Sequence, residues 1–126
     1  MPIYGIGIDI VLVARLSSSL DRWGDRFEKR VFTEAELEYC SAGKKRTTCL
    51  AMRFAAKEAF VKALGLGMRK PIMWRDIEIR SDRLGKPQIF LTERALGYCA
   101  EKGVRSWHLS LTDEGEYAAA VVVAET

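Results

Sequence analysis

Asp9 is the one charged residue in the apolar stretch between Gly5 and Val11. A carboxylate inside an apolar strand is unfavourable unless it is paired, protonated or bound to a metal ion. The same carboxylate at the end of a strand would instead cap the following helix. The stretch alone leaves both interpretations open, so Asp9 is a candidate metal ligand or a helix cap.

Glu58 and Lys62 are four residues apart on a predicted helix that also carries Arg53. A surface ion pair in the favourable Glu-before-Lys order is the ordinary explanation. However, apolar residues such as Phe54 and Phe60 surround this pair, so some charges of the helix must lie at a core edge or in a cleft. A pocket edged by Glu58, Arg53 and Lys62 would offer one oxygen ligand for a metal ion and several donors for a phosphate.

His108 and Ser110 alternate with Trp107, Leu109 and Leu111, which places the polar pair on the opposite face of a predicted strand. A solvated face is the ordinary explanation for this pattern, and a phosphate contact is the alternative. Nucleophilic catalysis by a Ser–His pair is not favoured, because the sequence contains no G-x-S-x-G motif.

Three arginines, Arg15, Arg22 and Arg26, are spaced by seven and then four residues. This spacing would place them in one stripe along a continuous helix. A solvated helix face is the ordinary explanation for such a stripe. Alternatively, the stripe would dock an acidic partner.

The composition is that of an ordinary globular domain. The 126 residues are 48% hydrophobic and 29% charged with a net charge of +3, which fits one domain over residues 1–126. The single histidine excludes a site that needs two or more histidines from one chain. Three cysteines without a CxxC spacing argue against a disulfide framework or a zinc cluster, so we expect reduced thiols. No secretory leader or apolar run of about 20 residues is recognised, so we expect a soluble cytoplasmic protein.

Hydrophobic periodicity and turn residues predict the elements that must position these groups. The first predicted elements are a buried strand from Ile3 that leads into a helix near Val13, a helical region over 16–30 broken near Gly24, and a helix that is capped by Thr33 and ends near Ser41. A long helix follows over 48–64 and is ended by Gly65 and Gly67. The last predicted elements are strands over 76–80 and 88–91, a helix from Thr92 to Gly103, and a hairpin of strands 107–112 and 117–124 with its turn at 113–115. Gly5 and Gly7 suit close packing of one backbone against another. The predicted fold class is α+β, a single domain with a mostly antiparallel sheet and the long helix packed on it.

Four motifs, in order along the chain, resemble those of the bacterial holo-[acyl-carrier-protein] synthases, the small 4′-phosphopantetheinyl transferases. They are Gly5–Val11 with Arg15, Arg53–Ala59 with Lys62 and Ala63, Gly85-Lys86-Pro87, and His108–Leu111. The first two motifs are the more specific ones, because an aspartate in a glycine-bounded strand is followed by a Lys-Glu-Ala helix at about the family's separation.

The resemblance implies an enzyme that transfers the phosphopantetheine arm of coenzyme A to a serine of apo acyl carrier protein, releases 3′,5′-ADP and serves fatty acid biosynthesis. It also implies Mg²⁺ as cofactor, because a hard divalent cation neutralises the diphosphate charge that repels a nucleophile. Asp9 and Glu58 match the family's metal-ligand positions, and with Lys62 they form the implied catalytic set. Lys62 would stabilise phosphate charge, position the nucleophile or assist the leaving group, and the proton acceptor is either a metal-bound water or Glu58.

The resemblance also implies the residues that bind coenzyme A, and they are Arg53, Lys62, Gly65, Gly85, Lys86, Pro87 and His108. Of these, Arg53 and His108 are expected near the 3′-phosphate, and the Gly85-Lys86-Pro87 turn near the adenine. Members of the family are homotrimers with active sites at subunit interfaces, so part of each site would come from a neighbouring subunit. The arginine stripe of Arg15, Arg22 and Arg26 then becomes a candidate docking surface for apo acyl carrier protein, and neither nucleic acid nor membrane is an implied partner.

Leu12 departs from the family pattern, because many members carry an acid at this position. Asp9, Glu58 and Lys62 are intact, so we expect activity to be retained. Two other hypotheses are a degenerate member that docks carrier protein without transfer, and a non-catalytic basic α+β module that binds an acidic protein or RNA. The second lacks the aromatic strand motif and the GXXG clamp of common RNA-binding modules.

Overall fold

The computed structural model describes residues 2–126, so the first residue of the predicted domain lies outside the described part. The elements are β1 (Ile3–Leu12), α1 (Val13–Trp23), α2 (Asp25–Val31), α3 (Glu34–Ser41), α4 (Arg46–Ala63), a 3-10 turn (Trp74–Asp76), β2 (Ile77–Ser81), β3 (Pro87–Leu91), α5 (Glu93–Glu101), β4 (Ser106–Glu114) and β5 (Tyr117–Glu125). The predicted α+β class is confirmed. Among residues 2–126, no helix combines the length and the apolar character that crossing a membrane requires.

The strands form two antiparallel sheets rather than the one predicted. The first sheet has the order β1-β5-β4, and the second is the β2–β3 hairpin. β3 runs beside β4 without a backbone ladder, and the indole Nε1 of Trp107 donates to the carbonyl of Ile89 across the gap, at 3.3 Å. The sheet edges are therefore joined by side chains, which leaves space for a cleft between them.

The long helix α4 lies directly on the inner face of β1. A Cβ atom added at Gly5 would overlap the carbonyl oxygen of Ala63, and one added at Gly7 would overlap that of Ala59. The predicted role of these two glycines in close backbone packing is confirmed. Because inward-facing residues alternate along a strand, Asp9 lies on the same face as Gly5 and Gly7 and is carried against α4.

The opposite face of β1 is exposed, although the strand was predicted to be buried. The side chains of Ile6, Ile8 and Ile10 are 61%, 67% and 66% exposed. On the neighbouring strand β5, Val121 and Val123 share this face and are only partly buried. The prediction failed on this face because α4, the helix that packs on β1, lies on its other side.

The helical region before α4 is divided as predicted at Gly24, which adopts a φ of +54° between α1 and α2. The predicted capping box is confirmed, since Thr33 Oγ1 accepts from the backbone N–H of Glu36 and Glu36 Oε1 accepts from that of Thr33. At the other end of the chain, the β4–β5 turn comprises Gly115 and Glu116 instead of the predicted 113–115, because β4 continues through Glu114.

The expectation of reduced thiols is wrong for two of the three cysteines. Cys40 at the end of α3 and Cys49 in the first turns of α4 are joined by a disulfide. The intervening loop reverses the chain and brings their Cα atoms to 5.5 Å, a separation that a disulfide spans. Cys99 remains a free, buried thiol. Spacing along the sequence gave no sign of this pairing, because it depends on how two helices meet.

The backbone contact between α4 and β1 makes a prediction for stability. Gly7→Ala should lower the free energy of unfolding by about 3 kcal/mol or more, because its Cβ would meet helix backbone that moves only if α4 shifts. The matched control is Gly97→Ala in α5, where an added Cβ meets nothing within 4 Å. That change should stabilise the protein by up to about 1 kcal/mol. Urea unfolding of both variants checks this, and equal stability of Gly7→Ala and the parent would contradict it.

Candidate active site

Asp9 and Lys62 meet where β1 passes under α4. The Lys62 ammonium Nζ donates to Asp9 Oδ1 at 3.2 Å and to the carbonyl of Ile8 at 3.0 Å. The Asp9 side chain is 15% exposed, whereas that of Lys62 is 50% exposed. The carboxylate is thus sheltered and the ammonium reaches it from solvent, so Lys62 pairs with Asp9 rather than with Glu58, its neighbour four residues earlier.

Glu58 is the second carboxylate of this cluster. Burial raises the pKa of Glu58 above its usual value, the nearby negative charge of Asp9 raises it further, and Lys62 partly opposes the shift. Two carboxylates that repel each other, at the edge of solvent, form an oxygen donor set that a cation would stabilise. The structure therefore brings together all three residues of the predicted catalytic set.

A buried ion pair, which sequence reasoning did not single out, fixes the rotation of α4 beside Glu58. Lys57 and Glu36 are fully buried, and the Lys57 Nζ lies 2.7 Å from Glu36 Oε1. Lys57 also donates to the carbonyls of Val31 and Trp74, and Glu36 accepts from the N–H of Ile79. Burial lowers the pKa of Lys57, and the charge of Glu36 opposes this shift. The only signal in the sequence was the position of Lys57 on an apolar helix face.

Arg53 lies away from Glu58 and Lys62, which corrects the predicted pocket edged by these three residues. Five residues on a helix correspond to a rotation of about 140°, so Arg53 and Glu58 leave α4 on different sides. The Arg53 guanidinium donates to Ser81 Oγ at 3.3 Å and lies 4.5 Å from the centre of the Tyr39 ring. Within residues 2–126, its Nε is buried without a hydrogen-bond partner. Arg53 as a whole is only 2% exposed, and its Nε–H is a hydrogen-bond donor that the protein leaves unused.

A second cluster lies in the cleft between β3 and β4. The cleft has a volume of about 440 Å³, and its lining includes Lys86, Pro87, Trp107 and His108. Gly85 precedes it in the β2–β3 turn with a φ of +87°. As predicted, His108 lies on the exposed face of β4, opposite Trp107. The structure thus joins the last two sequence motifs, and Gly65 lies apart from them at the C-terminal end of α4.

The arginine stripe is not continuous. Arg15 and Arg22 lie on α1, and Arg26 lies on α2 beyond the break at Gly24. All three are exposed, and Arg22 stacks on the ring of Trp23 at 5.0 Å. The predicted helical spacing of four between Arg22 and Arg26 therefore does not hold, although the basic surface remains.

Leu12 occupies the N-cap position of α1 and makes no side-chain cap. An acidic residue there would accept hydrogen bonds from the free N–H groups of the first helical turn. Leu12, the residue that departs from the family pattern, is therefore at a helix end. Asp9 lies three residues before it, on the inner face of β1.

Comparison with known proteins identifies close relatives of this chain. The sequence model of the 4′-phosphopantetheinyl transferase superfamily matches residues 5–122. The holo-[acyl-carrier-protein] synthase of Trichlorobacter lovleyi is 49% identical over 123 residues, which cover 98% of both chains.

Solved structures agree with this assignment. The crystal structure of holo-[acyl-carrier-protein] synthase from Neisseria meningitidis has a TM-score of 0.94 and 41% identity, covering 99% of this chain and 100% of that one. The structure from Helicobacter pylori, in complex with coenzyme A, has a TM-score of 0.86 and 32% identity, covering 95% and 99%.

The repulsion between the two carboxylates predicts how their titration responds to substitution. Asp9→Asn should lower the pKa of Glu58, because it removes a negative charge, but burial should still hold that pKa above its usual value. Lys62→Met should raise it. NMR titration of the carboxyl carbons in metal-free protein measures both, with Asp113→Asn at the exposed end of β4 as the control. An unchanged Glu58 titration in Asp9→Asn would show that the two carboxylates do not interact.

Proposed function

The chain belongs to the 4′-phosphopantetheinyl transferase superfamily, and from this membership we propose how its own residues carry out the transfer. The enzyme moves the 4′-phosphopantetheine group of coenzyme A to a serine of apo acyl carrier protein and releases 3′,5′-ADP. Membership of the family decides against a non-catalytic basic module, and a transfer assay distinguishes an active enzyme from a member that only docks its carrier protein. The observation that carries our proposal is the meeting of Asp9, Glu58 and Lys62 at the contact of β1 with α4.

Asp9 and Glu58 are proposed to hold a Mg²⁺ ion. Both offer carboxylate oxygens, the ligands that Mg²⁺ prefers, and the pKa of Glu58 reflects the negative charge of Asp9 beside it. Among residues 2–126, no group of three or more His, Cys, Asp or Glu side chains gathers for a metal. One or two carboxylates are sufficient, because Mg²⁺ keeps several waters and takes further oxygens from substrate phosphates. When bound, the ion would neutralise diphosphate charge and orient the leaving group.

Lys62 is proposed to bind the transferred phosphate. Besides the hydrogen bonds to Asp9 and to the carbonyl of Ile8, its half-exposed ammonium has one N–H left, so it can donate to a phosphate oxygen at the mouth of the cluster. In the reaction the serine hydroxyl attacks the β-phosphorus, the bond to the bridging oxygen breaks, and 3′,5′-ADP leaves. The serine proton would be accepted by Glu58, whose pKa is raised by burial, or by a water bound to the cation.

Coenzyme A is proposed to lie across two subunits. Lys86, Pro87 and His108 share one cleft, suited to the adenine and the 3′-phosphate, whereas the carboxylate cluster lies where β1 meets α4. Arg53 is on a third side of α4 and is only 2% exposed, so its contact with the 3′-phosphate would require the residues around it to move. These sites become continuous if the cleft of one subunit adjoins α4 of the next.

A homotrimer is supported by the outer face of the three-stranded sheet. Ile6, Ile8 and Ile10 expose more than half of their area on one flat surface. Burying a side chain of this size stabilises an assembly by about 1.5–3 kcal/mol. Contiguous exposed apolar surface of this kind marks an interaction site, and we propose that copies of this chain cover it.

The carrier protein is proposed to dock on α1 and α2. Arg15, Arg22 and Arg26 are exposed on these helices, and within residues 2–126 none of them forms a salt bridge. Unpaired guanidinium groups attract an acidic helix and speed association. The break at Gly24 spreads them over two helices, so the docking surface is broader than one helix face.

The transfer and its metal can be tested by mass spectrometry of the carrier protein. Apo acyl carrier protein with coenzyme A, Mg²⁺ and this enzyme should gain the mass of one phosphopantetheine. Glu58→Gln should slow the transfer by about 100-fold or more, because a group that binds the cation is worth several kcal/mol in the transition state. Glu101→Gln, on the exposed end of α5, is the matched control and should react like the parent. Full activity in chelator would overturn the metal proposal, and full activity of Glu58→Gln the assignment of that residue.

The trimer makes a separate prediction. Ile8→Glu should convert the trimer to monomers in size-exclusion chromatography with light scattering, because a charge on the buried interface would be desolvated. Leu96→Glu, at a residue of α5 that is 45% exposed, is the control and should leave the mass unchanged. Circular dichroism checks that both variants fold. A monomeric parent protein, or a trimeric Ile8→Glu variant, would contradict the proposed interface.

A further inference from the structure

Glu125, near the C-terminal end of the chain, contacts the only histidine. The His108 ring atom Nε2 lies 2.7 Å from Glu125 Oε1, and Ser106 Oγ donates to the same carboxylate oxygen at 3.1 Å. Both contacts cross from β4 to β5, where Ser106 is directly opposite Glu125 and His108 is its diagonal neighbour. None of the four sequence motifs includes Glu125.

The backbone of Glu125 is held from both sides. β5 is the central strand of its sheet, and Glu125 is paired with Ile3 on β1 as well as with Ser106 on β4. The carbonyl of Glu125 accepts from Arg105 N at 2.8 Å, and the next residue, Thr126, donates to Pro2 O at 3.0 Å. The Glu125 side chain is 27% exposed and that of His108 is 66% exposed. Glu125 thus has a fixed backbone, and its carboxylate restrains the more exposed imidazole of His108.

The contact with Glu125 determines which ring nitrogen of His108 remains free to bind a ligand. An ionised carboxylate can only accept hydrogen bonds, so the proton of this contact belongs to Nε2. Hydrogen bonds from His108 and Ser106 hold the pKa of Glu125 below its usual value, which keeps it ionised at neutral pH. Within residues 2–126 the ring has no other hydrogen bond of its own to protein, so Nδ1 is available to a ligand, and His108 lines the same cleft as Lys86 and Pro87.

We infer that Glu125 is a positioning residue for coenzyme A: it holds the ring of His108 by Nε2, so that Nδ1 faces the 3′-phosphate. This inference rests on the proposed contact between His108 and that phosphate. With the 3′-phosphate bound, His108 would lie between two acceptors and donate from Nε2 to Glu125 and from Nδ1 to the phosphate. Glu125 thus acts through His108, as a partner that orients a histidine from behind commonly does.

The test compares coenzyme A with 3′-dephospho-coenzyme A, which lacks the group in question. For each variant, the ratio of kcat/KM for the two substrates reports recognition of the 3′-phosphate and is insensitive to general damage. His108→Ala and Glu125→Ala should both lower this ratio, Glu125→Ala by about fivefold to tenfold through KM for coenzyme A. Glu125→Gln keeps an acceptor for Nε2 and should restore part of the ratio. Glu114→Ala, at the far end of β4, is the control and should not change it.

The outcomes separate this inference from the proposal on which it rests. A ratio that falls in His108→Ala but stays at the parent value in Glu125→Ala and Glu125→Gln would overturn the positioning role alone. A ratio that His108→Ala leaves unchanged would overturn the phosphate contact and the positioning role with it. A ratio that rises in Glu125→Ala would mean that the carboxylate merely repels the phosphate, which also overturns the inference. If Glu125→Ala does not fold, the same ratio is measured for Glu125→Gln and for Ser106→Ala. The second variant removes the hydrogen bond from Ser106 to Glu125.

Discussion

The contact of α4 with β1 is the constraint on which the active site depends. Two residues of a strand advance by about 6.6 Å and four residues of a helix by about 6 Å, so the contact repeats in register. Gly5 lies against Ala63 and Gly7 against Ala59. Continuing this pairing brings Asp9, two residues further along β1, to the level of the preceding turn of α4. Any side chain in place of either glycine would separate the strand from the helix, and Asp9 from Glu58 with it.

Close approach alone would leave α4 free to rotate, and the buried pair of Lys57 and Glu36 prevents this. Buried charges are costly unless all their hydrogen-bonding groups are satisfied. Here the ammonium has three acceptors and the carboxylate accepts from Lys57 and from two backbone N–H groups. These bonds reach α3, the end of α2, β2 and the 3-10 turn. Glu58 is the next residue along α4 and lies about 100° further around the helix axis, so fixing Lys57 toward the interior also fixes Glu58 on the side near Asp9.

Local patterns were sufficient for most elements, because these depend on periodicity, caps and glycines that stand in the sequence. The Thr33 capping box and the close approach at Gly7 are examples. Local patterns were not sufficient for the carboxylate cluster, since only the resemblance to the family grouped Asp9 with Glu58 and Lys62. The failures concern what only tertiary structure determines. The Cys40–Cys49 bond follows from the meeting of two helices, the exposed isoleucine face from the absence of a covering element, and the position of Arg53 from the rotation of α4. Glu125 carried no signal at all, because its importance lies in a cross-strand neighbour.

Alternate residues of β1 contribute to the carboxylate cluster on one face and to the proposed subunit interface on the other. The inward residues of the strand, Gly5, Gly7 and Asp9, build the carboxylate cluster, while its outward residues present the exposed isoleucines. One strand therefore contributes to the active site on one face and to the proposed subunit interface on the other. Because the residues of a strand alternate strictly, a shift of one residue in the pairing of β1 with β5 would exchange the two faces. The ladder along β5 thus fixes the register that both the site and the interface require, and β5 also carries Glu125 at its end. In this way one strand serves both the proposed metal site and the proposed oligomer interface.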